Sequence, residues 1–230
     1  MNIAESLKSL TKFEKCLWFA SVSVITFSFI ISGSGDALSL IASLVGVTSL
    51  IFLARGFAFG NILMIIFSIL YGIISYTFDY YGEMITYLGM TMPMAVVSLI
   101  SWLRHPYKKT AEVAVSKLTR GKLIFTAVSS VAVTVGFYFI LKAFGTANLL
   151  PSTVSVFTSF AAATLTAFRC PYFAVLYAAN DLVLIILWVL ASIEDISYLP
   201  MTVCFSMFFI NDYYGFICWK RMEKRQAKTN

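Results

Sequence analysis

Histidine occurs once in this 230-residue sequence, at His105 in a basic loop where a solvated side chain is the default, so it supplies neither a catalytic dyad nor a histidine metal site. Cysteine is nearly as scarce. Cys16, Cys170, Cys204 and Cys218 show no C-x-x-C spacing and read as small apolar residues. No metal site and no cofactor follows from them. The sequence has no G-x-x-x-x-G-K-[ST] stretch, which excludes a P-loop nucleotide site. Charge is the most telling shortage. Asp, Glu, Lys and Arg make up 12% of the chain, against about 25% in ordinary soluble domains. A water-exposed surface cannot be built from so little charge. A membrane-embedded enzyme would also need a nucleophile and base, or a metal cluster, and neither is offered.

What the chain has is hydrophobic residues, 60% of the total, with a mean hydropathy of +0.86. A helical membrane span needs about 20 largely apolar residues. Eight such runs are expected, over 17–32, 38–54, 57–78, 84–103, 123–141, 152–168, 171–191 and 199–219. They are apolar all round, unlike the alternating strands of a β-barrel. The expected fold class is an all-α polytopic membrane protein in one domain, 1–230. Lys8, Lys12 and Lys15 ahead of the first run resemble the start of a secretion signal. However, "ISGSGDA" is a poor cleavage site, so this run is expected to stay as a span.

The charges set an orientation. Basic residues crowd the N-terminus, the segment around Arg55, the 104–122 loop, Arg169 and the C-terminus. Acidic residues mark the intervening loops: Asp36, Asp79 with Glu83, and Glu194 with Asp195. With eight spans and both termini in the cytoplasm, 16 of the 17 Lys and Arg residues fall inside, Lys142 excepted. This is a positive-inside pattern. It makes the net charge of +6 a topology signal and argues against nucleic acid as a partner.

The chain also repeats itself. Arg55 and Arg169 each follow an apolar span, and a Trp lies 47 and 50 residues further on, at Trp102 and Trp219. Each stretch holds two spans and an acidic outer turn, and ends in Trp followed by basic residues, "SWLRH" and "CWKRM". The first three-helix unit is expected over 38–103 and the second over 152–219. A linker helix over 123–141 would make them parallel, and 1–35 would be an extra helix. Parallel repeats about an axis along the membrane normal are a transporter architecture.

Polar groups inside spans locate a candidate site. Asn180 and Asp181 lie on span 7, and Asn211 and Asp212 on span 8. At 1.5 Å per residue both pairs sit about 12–14 Å from the basic boundary, near the middle of a core about 30 Å thick. No Lys or Arg is central in any span, so neither carboxyl has an evident counter-charge. Two readings follow: hydrogen bonding between helices, or a site for a polar or cationic ligand. Trp188, two turns outward of Asp181, and Tyr71, Tyr76, Tyr213 and Tyr214 supply rings able to stack on a flat cation. Gly72 and Gly215 suit close helix approach.

The run "GNILMIIFSILYGIISYTFDYYGEMITYLGMTMPMAVVSLISW" and the closing "FFINDYYGFICW" resemble the nicotinamide riboside transporter family known as PnuC, over about 38–219. The resemblance implies a fold similar to that of SWEET transporters and a facilitator with a central site between two three-helix bundles. It implies facilitated diffusion across a bacterial inner membrane, with cytoplasmic phosphorylation trapping the substrate. It also implies that the substrate is a vitamin or nucleoside. Thiamine, riboflavin and deoxynucleosides are carried by relatives, and a proton-coupled carrier or an accessory subunit stays open beside these, as does a homo-oligomer. On this resemblance Asn180, Asp181, Trp188, Asn211, Asp212, Tyr214, Tyr71 and Tyr76 are the expected substrate-binding residues. One departure stands out: Ala95, seven before Trp102, where Asp212 is seven before Trp219.

Overall fold

The computed structural model describes residues 10–33, 36–77, 81–108, 110–146 and 148–229. Lys8, Gly35, Phe78, Asp79 and Lys109 lie outside the described residues. Among the described residues, eight helices are long and apolar enough to cross a membrane. They are α1 (Lys12–Ser32), α2 (Ala37–Ala54), α3 (Phe59–Thr77), α4 (Tyr81–Arg104), α5 (Arg120–Ala143), α6 (Leu149–Ala167), α7 (Phe173–Glu194) and α8 (Leu199–Thr229).

Local chemistry sets their ends. Thr11 and Glu14 form a capping box at the start of α1, which closes on Gly33 in the left-handed conformation. Asp36 caps α2 and Thr119 caps α5 through their side chains. In α4, Pro93 has no N–H for the carbonyl one turn back. The helix absorbs this with a π turn over Tyr87–Thr91, where the Met92 N–H reaches back to the Tyr87 carbonyl. Near the same point a Cβ at Gly72 would come within 2.6 Å of Leu88, so this glycine does allow α3 and α4 to close up. At Gly215 the nearest atom would stand at an ordinary 3.6 Å.

α8 runs ten residues beyond the expected end at Trp219. The segment "KRMEKRQAKT" has no helix breaker, and Lys220 pairs with Glu223 one turn on at 2.5 Å.

The helices pack as two similar units. α3 lies against α2 and α4, and α7 lies against α6 and α8. The units meet twice, where α8 packs on α2 and α4 on α6. α1 sits outside the first of these seams, touching α2 and α8, and α5 sits on α6 with a lighter contact to α4. Both outer helices present large apolar side chains away from the protein, such as Phe19 and Phe27 on α1 and Phe125 and Phe139 on α5. A lipid-facing surface has this composition.

The two turns that open α3 and α7 share one design. The Gly56 N–H reaches the Leu53 carbonyl at 2.9 Å and the Phe57 N–H the Phe52 carbonyl at 3.0 Å. Likewise the Arg169 N–H reaches Thr166 and the Cys170 N–H reaches Leu165, each at 2.9 Å. Gly56 (φ 69) and Arg169 (φ 58) hold the left-handed position. Arg169 therefore matches Gly56, one residue away from the Arg55 that sequence spacing suggests.

Candidate functional site

Charge polarises the molecule along the helix axes. Arg55, Arg221 and Arg225 gather with Thr11 at one end, the basic face. Asp36, Glu83 and Glu194 gather at the other, the acidic face. A cavity of about 1040 Å³, including its open mouth, enters from the acidic face between the two units. α2, α3 and α4 contribute Ser39, Tyr71, Ser75 and Glu83; α6, α7 and α8 contribute Ser152, Trp188 and Met201. No Lys or Arg lines it among the described residues.

Aromatic rings close its lower end. Tyr71 stacks on Tyr87 with centroids 4.3 Å apart and meets Phe205 at 6.3 Å. Phe67 bridges Tyr71 (5.6 Å) and Phe208 (5.8 Å). Trp188 lines the same cavity as Tyr71 and packs on Tyr198 at 5.8 Å. Flat rings that can present both faces and edges suit a flat heteroaromatic ligand.

Below this floor the buried Asp181 and Asp212 neighbour each other across the α7–α8 contact. Neither enters an ion pair among the described residues. Two neighbouring carboxyls in a low-dielectric setting cannot both hold full charge without a cation or a shared proton. Tyr177, within reach of Thr166, lies beside Asp212 on the same path.

The basic end is shut. Trp102 and Trp219 pack with centroids 5.3 Å apart, and Phe173 meets Trp219 edge-on at 4.9 Å. The Trp102 indole donates to the Thr166 carbonyl and the Trp219 indole to the Leu53 carbonyl, both at 2.8 Å. Each Trp thus crosses to the last turn of the other unit, one on α6 and one on α2.

The α4–α5 loop lies across these ends as a strap. The Val113 N–H donates to the Gly56 carbonyl and the Ser116 N–H to the Arg169 carbonyl, each at 2.9 Å. The α8 extension clamps it. Gln226 accepts from the Val115 N–H at 2.8 Å and donates to the Val113 carbonyl at 3.1 Å, and Arg225 pairs with Glu112.

Of the expected site residues, Tyr71 and Trp188 line the cavity, and Asp181 and Asp212 form the pair beneath it. The other four stand elsewhere. Asn180 turns to α6, where its amide oxygen accepts from Ser155 and Thr158, both at 2.9 Å. Asn211 turns to α1, donating to Ser21 at 2.9 Å and to the Met207 carbonyl at 2.7 Å. The Tyr214 hydroxyl donates to Glu14 at 3.1 Å near the basic face, and Glu14 lies 3.7 Å from Arg55. Tyr76 is 59% exposed and faces outward beside Tyr81. None of these four lines the cavity: three have partners on neighbouring helices and Tyr76 faces outward. The floor residues Phe67, Tyr87, Phe205 and Phe208 were not singled out by the sequence. Among so many aromatics the signal that would separate them is inward direction, which spacing alone does not carry. The wall hydroxyls Ser39, Ser75 and Ser152 left a fainter trace, as small polar residues inside apolar runs.

Two similar helix units around a largely apolar, aromatic-floored cavity with a few acidic and hydroxyl groups, stopping partway through a membrane-length bundle, have the build of a membrane transporter. The family described as nicotinamide mononucleotide transporter matches residues 36–221. A nicotinamide riboside transporter PnuC from Neisseria mucosa is 26% identical over 216 residues, covering 92% of this chain and 81% of that protein. A crystal structure of the vitamin B3 transporter PnuC superimposes with a TM-score of 0.81 at 26% identity, covering 95% of this chain and 94% of the other. The chain is a multi-pass membrane protein and belongs to the nicotinamide mononucleotide transporter family.

Proposed function

We propose that this protein carries nicotinamide riboside across a bacterial inner membrane by facilitated diffusion, with cytoplasmic phosphorylation trapping the product. The charge of the cavity carries this reading. Its polar lining is acidic and hydroxylic, its floor is aromatic, and no described lining residue is basic. A pyridinium ring is flat and cationic, so it can stack on Tyr71 or Trp188 and gain from the carboxylates. A phosphate monoester brings about −1.5 to −2 charges at neutral pH and would meet repulsion with no Arg or Lys to offset it. The unphosphorylated riboside is therefore favoured over the mononucleotide named for the family.

On this reading the basic face, with both termini, is cytoplasmic. The cavity faces outward, and the Trp102–Trp219 contact and the strap form the inner closure. Substrate passage would need the two units to rock apart at that end and together at the cavity mouth. The central test is isothermal titration of detergent-purified protein with nicotinamide riboside, nicotinamide mononucleotide and thiamine. Riboside alone binding supports the proposal. Mononucleotide binding as tightly removes the charge argument, and thiamine alone changes the vitamin while keeping the mechanism.

A second reading rests on one observation, the neighbouring Asp181 and Asp212 carboxyls. A pair that must share a proton or a cation is a place where transport could couple to protons. Uptake into proteoliposomes that accelerates with an imposed proton gradient favours coupling. Rates independent of the gradient and of an uncoupler favour plain diffusion.

A further inference from the structure

Among the described residues three carboxylates border the outer cavity, and they are not equivalent. Asp36 is occupied as the α2 cap, accepting from the Leu38 and Ser39 N–H groups at 3.1 and 3.0 Å and from the Ser39 hydroxyl. Glu194 closes α7 and is exposed to solvent, where its field is weakened by water. Glu83 is half-buried in the first turn of α4, on a wall it shares with Tyr71. It enters no ion pair among the described residues. A helix N-terminus tolerates a carboxylate there, but leaves its outward lone pairs unused.

Hydroxyls in the same cavity point to a ligand independently. Ser152 is 3% exposed and lines the cavity, yet its Oγ makes no hydrogen bond among the described residues. The Thr146 hydroxyl, on the same side, is also without a partner there. A buried hydroxyl left unsatisfied is costly, and a bound sugar reaching them would satisfy both.

We infer that Glu83 is the counter-charge that receives a cationic substrate in the outer cavity, with Ser152 and Thr146 holding its sugar. The Asp181–Asp212 pair then acts only after the aromatic floor has opened. This assignment rests on the proposed riboside function and adds a specificity residue to it.

The test is titration of wild type, Glu83→Gln and Ser152→Ala with nicotinamide riboside and with its uncharged dihydro form. Glu83→Gln should weaken the cation at least about tenfold, the equivalent of one counter-charge near a partly exposed site, and leave the neutral form within about twofold. Ser152→Ala should weaken both forms alike, since both carry the sugar. Equal affinity of Glu83→Gln and wild type for the cation overturns the inference, and so does an equal loss for both forms. Should Glu83→Gln fail to fold, wild type alone decides: equal affinity for cation and neutral form overturns it. Silence of folded wild type toward both forms refutes the riboside function itself.

Discussion

The two three-helix units agree at their basic ends and diverge in the middle. At the basic end the turns match bond for bond, and each Trp reaches across to a carbonyl of the other unit. Counted inward from these matched turns and tryptophans, Asp181 stands where the first unit has Ser68, and Asp212 where it has Ala95. Trp188 stands where it has Ser75. Both of these last line the cavity, a ring on one wall and a hydroxyl on the other. The symmetric positions hold the closure, which must open by related movements of both units. The asymmetric positions line or underlie the cavity, and on the proposed function they would meet a ligand whose ring, charge and sugar have no two-fold symmetry.

The comparison can be broken most sharply at the closure. Trp102→Ala and Trp219→Ala each remove a fully buried ring and a cross-unit hydrogen bond. Each should cost about 3–5 kcal/mol, and the two losses should be alike in unfolding titrations of the purified protein. A large loss for one and none for the other would show the closure to be one-sided.

The strap is the asymmetric element that serves both units, and Gln226 clamps it. Gln226→Leu leaves the Val115 N–H and Val113 carbonyl without their partners. A loss of about 1–3 kcal/mol is expected. Faster labelling of the buried Cys170 by a thiol reagent applied from the basic face, in protein lacking the other three cysteines, should accompany it. Unchanged labelling would mean that the Trp contact alone closes this end.

Across the cavity, Trp188→Ala should weaken riboside binding by about 5- to 150-fold, the usual size of a ring-stacking contact. Ser75→Ala should stay within about twofold, and titration calorimetry separates the two. Equal effects would mean the walls act alike. The turns offer a comparison in stability. Gly56→Ala puts a Cβ on a left-handed residue and should cost about 1–2 kcal/mol. Arg169→Gly relieves the same strain in the other unit, against the loss of its 3.4 Å contact to Ser101. Opposite signs in thermal unfolding are expected.

The sequence by itself determined the number and type of spans and their ends to within a few residues. It also determined the split of charge between the two faces and the repeated Trp landmarks. These depend on local hydropathy, capping and spacing, which each segment carries alone. The continuation of α8 past Trp219 was missed because its polar face becomes meaningful only against the strap. Which polar groups line the cavity was decided by tertiary structure. Asn180 and Asn211 share a depth with the acidic pair, yet α6 and α1 supply partners that turn both away from it. Glu83 reads as an outer-loop charge in sequence, but α4 begins early enough to bring it onto the cavity wall. Depth along a helix can be counted from a sequence. The direction a side chain faces depends on which neighbouring helices pack around it, and only the assembled bundle settles that.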